Sequence, residues 1–258
     1  MYVDAHCHLE RATYGDELPA ILARARLAGL SHCVAVGASH GAAGAREAVA
    51  LAAAHEFVYA AVGVHPHDAA RATADDEAVV ADLLGRPKVV ALGEIGLDYH
   101  YEFAPPDVQR ALFRRLLVLG RERDVPVMLH VREAHADALA CLDEIGLPAR
   151  GGVVHCFTAG PREAAAYLER GLYLSIPGVI TFKNAEPLRA AVRAAPLARL
   201  LLETDSPYLA PIPQRGKRNE PAFLAFTAAA VGAVCGQSGD EIGRVTSDNA
   251  RRLFGWPA

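Results

Sequence analysis

Eight short, nearly continuous apolar segments recur along this chain of 258 residues, and each is followed by a segment with helical spacing. The apolar segments lie at 2–6, 32–37, 57–64, 88–95, 125–131, 151–157, 172–176 and 197–204. Apolar runs of this length are typical of parallel strands that are covered on both faces. Their repeat distance, roughly 20 to 37 residues, matches a strand–helix unit with its loops.

The segments between the strands have the amphipathic spacing of helices that cover a sheet. Residues 105–123 are the clearest case, and residues 16–30 form another. Two more helices are expected near 220–234 and 239–254. Together these elements predict an α/β fold, a (β/α)8 TIM-type barrel with extra C-terminal helices. A doubly wound open sheet shares the local pattern, but it usually has fewer strands, and no GxGxxG turn follows the first strand.

The bulk composition narrows the classes of protein that the chain can belong to. No Ser/Gly/Pro-rich linker interrupts the pattern, so a single domain over 1–258 is expected. The formal net charge of −4 argues against a polybasic protein that coats duplex DNA. Five cysteines without a CxxC pair suit a reducing compartment, and we expect a cytoplasmic protein without a signal peptide or membrane span.

Ionisable residues cluster at the ends of the predicted strands. They are His6 and His8 after the first strand, Glu94 and Asp98 after the fourth, His130 after the fifth, His155 after the sixth, and Glu203 and Asp205 after the eighth. In a parallel barrel these strand ends meet on one rim, where active sites are built. Burying so many ionisable groups together is costly unless something pairs them, and divalent cations are the natural partners.

The spacing inside the sequence "HCH" supports a metal site. Side chains alternate along a strand, so His6 and His8 should share a face while Cys7 points into the packing. The same alternation would place Glu203 and Asp205 on one face of the eighth strand. Taken alone, an HxH pair is more often a hydrogen-bonded core pair than a metal site, so the prediction depends on all of these residues together.

Six motifs in order resemble the TatD family of metal-dependent deoxyribonucleases, within the amidohydrolase-type metal barrels. They read "DAHCHL", "GVHPH", "GEIGLDY", "HCFTAG", "ETDSPYLAP" and "GKRNEP", and they run from residue 3 to about 221. A glutamate, Glu94, stands where many amidohydrolases carry a modified lysine. This difference favours the TatD branch.

The resemblance implies roles for the ligands. His6, His8 and Asp205 would hold one metal, and His130 and His155 would hold a second, with Glu94 bridging both. Two divalent ions, or three, are expected, and the mixed donors suit Zn, Mn or Mg. Asp205 would also act as general base. For Glu203, a role in proton transfer and a role in orienting the ligands both stay open.

Substrate contacts are expected from cations and from two further polar residues. Arg132, two residues beyond His130, is the best candidate for a phosphate clamp, and Lys217 and Arg218 follow the eighth strand. His65 resembles the substrate-side histidine of the family, and Asp98 either faces the site or caps a buried turn. His67 is expected on a loop surface.

The predicted function is metal-dependent hydrolysis of nucleic-acid phosphodiester bonds, as a 3′–5′ exonuclease on single-stranded DNA or 3′ ends, with RNA as a further substrate. One alternative is a deacylase that uses the same metal centre on an acyl substrate such as aminoacylated tRNA. A non-catalytic barrel would lack a ligand or a base, and none is missing. The sequence leaves the oligomeric state open and is compatible with a monomer.

Overall fold

The computed structural model describes residues 1–101 and 103–256, and its strands form one sheet of eight strands in sequence order. The strands, β1 to β8, are Tyr2–Cys7, Leu30–Gly37, Val58–Val62, Val89–Asp98, Val127–Arg132, Gly152–Val154, Tyr173–Ile176 and Leu200–Leu202. The pairs β3–β4, β4–β5, β5–β6 and β7–β8 are parallel.

Helices connect the strands, as the alternating pattern predicts. In the described part of the chain, α1 to α10 are Arg11–Tyr14, Leu18–Leu27, Gly41–Ala54, Ala74–Leu83, Pro106–Arg123, His135–Ile145, Pro161–Glu169, Glu186–Ala194, Leu224–Cys235 and Gly239–Phe254. The fold is a (β/α)8 TIM-type barrel with two extra C-terminal helices, which confirms the predicted class. The predicted helix at 220–234 begins as a 3-10 turn, Pro221–Phe223, before α9.

By its internal contacts the chain divides into two compact units. The first unit comprises residues 1–34 and 155–258, and the second comprises residues 35–154. The expectation of a single domain over 1–258 stays a prediction, and its positions 102, 257 and 258 lie outside the described residues.

In the first unit, β1 is joined to the segment that follows β8. The Asp205 N–H donates to the His6 carbonyl at 3.0 Å, and the His8 N–H donates to the Ser206 carbonyl at 2.7 Å. Between them, the N–H and hydroxyl of Thr204 donate to the buried Asp4 carboxylate at 2.9 and 2.6 Å. These bonds hold the end of β1 and the chain after β8 in a fixed register.

In the second unit, β4 and β5 form the longest pairing. Gly93 lies opposite Met128 and Ile95 lies opposite Leu129, so Glu94 is an extra residue in β4. An insertion of this kind is a β-bulge, which bends the strand and changes the direction of the side chain that it carries. The helix α5 covers the pair with buried apolar side chains, including Phe113 and Leu116.

None of the described helices has, by itself, both the length and the apolar composition of a membrane-crossing helix. One bent pair, Pro221–Cys235 with Gly239–Phe254 at 103° to each other, meets those two criteria jointly.

Two strands end earlier than the apolar runs predict. β6 stops at Val154, so His155 and Cys156 lie beyond it, and β8 stops at Leu202. Glu203 and Asp205 are therefore placed by the turn after β8. The expectation that strand alternation orients this pair is wrong, because Asp205 has a left-handed backbone with φ of 52°.

Candidate metal centre

Five side chains of the first unit form one group, which we call the Asp205 cluster. Its members are His6, His8, His155, Glu203 and Asp205. The His6 and Glu203 side chains are fully buried, and Asp205 is 12 % exposed. The rings of His6 and His155 stack with their centroids 3.9 Å apart and 11° between their planes. Four sequence-predicted ligands and Glu203 thus lie together.

The spacing of three donor atoms matches one coordination sphere. The Nε2 atoms of His6 and His8 are 3.2 Å apart, and they lie 3.7 and 3.5 Å from Oδ1 of Asp205. Ligands about 2.1 Å from an ion and at about 90–110° to each other are roughly 3.0–3.4 Å apart. The distances between the three atoms are therefore close to the edge lengths of a coordination polyhedron around a divalent ion.

A second donor group in this cluster contains Glu203 and His155. The Cys156 N–H donates to Oε1 of Glu203 at 2.7 Å, and Nδ1 of His155 lies 3.5 Å from the same oxygen. Cys156 has a φ of 45°, a left-handed conformation that turns its N–H toward the carboxylate. The buried Oε2 of Glu203 has no hydrogen-bond partner among the described residues. A buried carboxylate oxygen in that condition needs a cation or a proton.

The two aspartates around His6 differ in ionisation. Burial opposes ionisation of Asp205, but the adjacent His8 and His6 rings outweigh burial and hold the pKa of Asp205 below its ordinary value. Burial raises the pKa of Asp4 to about 8, despite the hydrogen bonds from Thr204. Asp205 is thus the ionised carboxylate that can bind a cation. Asp4, in contrast, connects β1 to Thr204, which follows β8, through hydrogen bonds.

Five side chains of the second unit form another group, which we call the Glu94 cluster. Its members are His65, His67, Glu94, Asp98 and His130. Oε1 of Glu94 lies 2.9 Å from Nε2 of His65 and 2.8 Å from Nδ1 of His130. The other nitrogen of His130, Nε2, lies 3.0 Å from Oδ2 of Asp98. His130 is therefore held between two carboxylates.

Glycines make this arrangement possible. A Cβ atom on Gly93 would lie 2.4 Å from Cβ of Met128, and one on Gly96, whose φ is 146°, would lie 2.0 Å from the His130 carbonyl oxygen. Only glycine allows β4 and β5 to approach so closely on both sides of Glu94. In the sequence "GEIG", the two glycines therefore determine where the Glu94 carboxylate lies.

The backbone fixes the tautomer of His65. Nδ1 of His65 accepts a hydrogen bond from the His67 N–H at 3.0 Å, so a neutral ring carries its proton on Nε2, toward Glu94. Burial lowers the pKa of His65 to about 4, against the opposing charge of Glu94. His65 is neutral at pH 7, and a cation that replaces the Nε2 proton would find this nitrogen already aimed at the carboxylate.

Asp98 organises the second cluster. It is fully buried, and it accepts the backbone N–H groups of His100 and Tyr101 at 2.9 and 3.0 Å in addition to its two histidine contacts. Burial opposes its ionisation, but the hydrogen bonds from His130 and His67 hold the pKa of Asp98 well below its ordinary value. These contacts support a positioning role, and the predicted contact with substrate stays a prediction.

The three positively charged side chains predicted to contact phosphate, Arg132, Lys217 and Arg218, have different surroundings. The Arg132 guanidinium carbon lies 4.8 Å from the centre of the Tyr101 ring. Arg218 is ion-paired with Glu17 at 2.6 Å, and Lys217 donates to the Gln214 side chain at 2.8 Å. Arg132 is the last residue of β5, the strand that carries His130, whereas Lys217 and Arg218 have partners outside both clusters.

His67 is the residue that sequence reasoning missed. It was expected on a loop surface, but its side chain is 28 % exposed and its Nε2 lies 2.8 Å from Oδ2 of Asp98. The available signal was the "HPH" spacing, in which Pro66 begins a 3-10 turn that brings His67 back beside His65.

The donor atoms fit divalent ions. Three groups have one ligand atom per residue within 4.8 Å of one another: His6 with His8 and Asp205, His6 with His155 and Glu203, and His65 with Glu94 and His130. Neutral imidazole with carboxylate is the donor set of zinc and manganese sites, and it does not exclude magnesium. A (β/α)8 barrel with such groups in its strands and in the turns that follow them is the architecture of a metal-dependent hydrolase.

The chain belongs to the TatD related DNase family, whose model matches residues 3–255. The resemblance expected from the six motifs is confirmed. The chain is 38% identical to the uncharacterized metal-dependent hydrolase YabD of Bacillus subtilis, covering 98% of this chain and 99% of that protein. It is 39% identical to the 3′-5′ ssDNA/RNA exonuclease TatD of Edwardsiella piscicida, covering 98% of both.

Solved structures agree with this family. The crystal structure of YJJV, a TatD homolog from Escherichia coli, superposes with a TM-score of 0.93 at 31% identity and covers 99% of this chain and 98% of that one. A TatD family hydrolase from Entamoeba histolytica has a TM-score of 0.85 at 24% identity, covers 100% of this chain and 98% of that one, and shows the same fold.

Proposed function

We propose that the chain removes nucleotides from the 3′ ends of single-stranded DNA or RNA by metal-dependent hydrolysis of the phosphodiester bond. The observation that carries the proposal is the set of three imidazole–carboxylate donor groups, each within 4.8 Å, in a chain of the TatD related DNase family. Relatives at about the same identity carry the name 3′-5′ ssDNA/RNA exonuclease.

In this proposal each cluster binds a divalent ion, Zn, Mn or Mg. His6, His8 and Asp205 form one ligand set, as the sequence predicts. His65 joins Glu94 and His130 in the other, a ligand role that the sequence did not assign to it. The assignment of His130 and His155 to one ion, with Glu94 bridging, stays a prediction. When bound, divalent ions lower the pKa of water and neutralise charge on a phosphodiester.

The carboxylates of the Asp205 cluster divide the remaining work. Asp205, with its low pKa, stays ionised and suits the role of ligand and acceptor within the site. Oε1 of Glu203 is fixed by the Cys156 N–H, so Oε2 is the oxygen that can hold a proton during the reaction. We assign proton transfer to this pair, and Glu203→Gln tests the division, since glutamine keeps the Cys156 bond but cannot take up the proton.

The proposed phosphate contact is Arg132. Its charge is permanent, and a guanidinium can form two parallel hydrogen bonds to a phosphate. Lys217 and Arg218 remain proposed contacts of weaker support, because each has a protein partner.

The test is cleavage of labelled single strands by metal-stripped protein resupplied with Mn, Mg or Zn. A 5′-labelled strand should give a ladder that shortens from the 3′ end, and phosphorothioate linkages at the 3′ end alone should stop it. His6→Ala and Asp205→Asn should abolish the ladder. Asp16→Asn, at a fully exposed carboxylate, is the matched control and should cut like wild type.

The same experiment includes the acyl alternative. Aminoacylated tRNA is incubated in parallel, and release of the amino acid is measured. Turnover of the acyl substrate without any laddering of DNA or RNA would reject the exonuclease. A ladder that is blocked only by 5′ phosphorothioates would reject the 3′–5′ polarity.

Single-stranded 3′ ends, the monomeric state and a cytoplasmic location belong to this proposal. The first is tested by comparing blunt duplexes with single strands, and the second by sedimentation of the purified chain. Cell fractionation tests the location.

A further inference from the structure

Two large aromatic side chains lie exposed beside the Glu94 cluster. Tyr101 is 42 % exposed and Phe103 is 63 % exposed. Their rings stack with centroids 5.5 Å apart and 26° between their planes. Single exposed apolar residues are ordinary, but an exposed stacked pair leaves an outer ring face on which a third ring can stack.

A cation completes this surface. The guanidinium of Arg132 lies over the Tyr101 ring, 4.8 Å from its centre. Cation–π contact keeps the charged group beside the ring without neutralising it. Arg132 lies opposite Asp98 in the β4–β5 ladder, at the last residue of each strand. The backbone that carries Arg132 is therefore held by the sheet.

The surface is continuous with the candidate metal ligands of the same unit. The His67 ring packs edge-on against Phe103 at 4.8 Å and against Tyr101 at 5.4 Å. Asp98 connects these rings to the metal-ligand candidates. Its carboxylate contacts Nε2 of His67 and Nε2 of His130, and it also accepts a hydrogen bond from the Tyr101 N–H. A single carboxylate thus sets the position of the aromatic pair relative to the ligand His130.

We propose that Tyr101, Phe103 and Arg132 form a stacking subsite for an unpaired base of the substrate strand. This inference rests on the proposed function and adds the means of single-strand selection. Every nucleobase has a π face, so the subsite accepts any base, whereas the bases inside a duplex already cover each other's faces. Arg132, whose guanidinium carbon lies 4.8 Å from the centre of the Tyr101 ring, binds the adjoining phosphate.

The chemistry favours a nucleobase over a protein side chain as the occupant. A protein partner would be expected to cover a broader apolar patch, but here the rings are bordered by Arg132, whose positive charge matches the negative charge of a nucleotide. Continuity with a metal-binding cluster places the occupant's phosphate on the side of the ligands.

The test measures binding in a cleavage-deficient background, so that it does not depend on turnover. Asp205→Asn protein in Mn²⁺ is titrated with a fluorescein-labelled (dT)10 strand, and fluorescence anisotropy gives Kd. The double change Tyr101→Ala and Phe103→Ala should weaken binding by about fivefold to a hundredfold, the effect of losing one base–aromatic stack. Tyr101→Phe should retain wild-type affinity.

A strand with abasic positions tests whether the ring contacts a base. Replacing one thymidine at a time by a tetrahydrofuran residue keeps the phosphates and removes the base. One position near the 3′ end should weaken binding to the parent, and the same position should have no effect on the Tyr101→Ala, Phe103→Ala protein. Effects that add fully would overturn the subsite.

A matched control comes from another arginine over a tyrosine. The Arg199 guanidinium lies 5.0 Å from the Tyr173 ring at the start of β7. Tyr173→Ala should leave the Kd for (dT)10 unchanged, and melting temperatures confirm that each variant is folded. If wild type cuts single strands but the Tyr101→Ala, Phe103→Ala protein binds them equally well, the subsite is wrong and the exonuclease stands. If wild type cuts neither DNA nor RNA, the proposed function itself fails.

Discussion

The Asp205 and Glu94 clusters contain the same side-chain types, histidine, aspartate and glutamate, but they differ in the spacing of their polar atoms. In the Asp205 cluster the donor atoms of His6, His8 and Asp205 are 3.2–3.7 Å apart, the spacing that surrounds an ion. In the Glu94 cluster the contacts of Glu94 and Asp98 with histidines are 2.8–3.0 Å, the length of charge-assisted hydrogen bonds. The first spacing suits a cation between the donor atoms, whereas the second suits protons shared between histidine and carboxylate.

Clusters of the same residue types can therefore differ in how readily they bind a cation. A cation that enters the Glu94 cluster must displace protons, so its binding should weaken as the pH falls. We therefore expect the Asp205 cluster to hold its ion more tightly.

The largest effect should come from breaking either ligand set. Asp205→Asn and Glu94→Gln should each lower kcat/KM by more than a hundredfold, because even the loss of a group that only orients a ligand costs about 10–100-fold. Each variant should also lose one equivalent of bound metal, measured by elemental analysis after desalting. In wild type, acidification from pH 7 to 5 should release first the equivalent that Glu94→Gln lacks. Release of the other equivalent first would contradict the comparison.

A smaller effect should come from Asp98, which orients His130 and His67. Asp98→Asn should reduce kcat/KM by about 10–100-fold, because asparagine cannot accept hydrogen bonds from both rings at full strength. Metal content at saturating Mn²⁺ should be retained, and the metal Kd should rise. Asp137→Asn, at a carboxylate that pairs with Arg110 and Tyr99, serves as a control in the same unit. Equal losses in both variants would indicate general destabilisation.

The first unit should lose stability as the pH rises in metal-free protein. The pKa of Asp4 is about 8 in the folded chain and 3.8 in the reference state, so between these values the folded state holds a proton that the unfolded state does not. The free energy of unfolding should fall by about 1.4 kcal/mol per pH unit over this window from this group. Asp4→Asn removes the slope, and urea melts at pH 6, 7 and 8 measure it. An unchanged slope would contradict the assignment.

The second unit should respond with the opposite sign and over a narrower window. The pKa of His65 is about 4 when folded and 6.5 in the reference state, so below pH 6.5 the unfolded chain binds a proton that the folded chain excludes. Stability should fall by about 1.4 kcal/mol per pH unit as the pH drops from 6.5 toward 4. His65→Gln should flatten this limb of the metal-free profile while leaving the alkaline limb unchanged. A variant that alters only the alkaline limb would refute the assignment.

Most of the fold and of the two candidate clusters could be predicted because they depend on local pattern. The eight apolar runs, α10 and the HxH pair were read from residues close together in sequence. What could not be predicted depends on contacts between distant residues. β8 ends early where Asp4, 200 residues away, binds Thr204, and Cys156 turns toward Glu203, which lies 47 residues away. His67 was misplaced for the same reason, since its partner Asp98 lies 31 residues away.

The bonds between Asp4 and Thr204 have a consequence for biosynthesis. The imidazoles near residue 6 and the carboxylate at residue 205 lie far apart in sequence, so a ribosome must translate Asp205 before they can meet. A nascent chain that has not yet reached residue 205 therefore lacks a complete Asp205 cluster and cannot bind an ion there through all three donors.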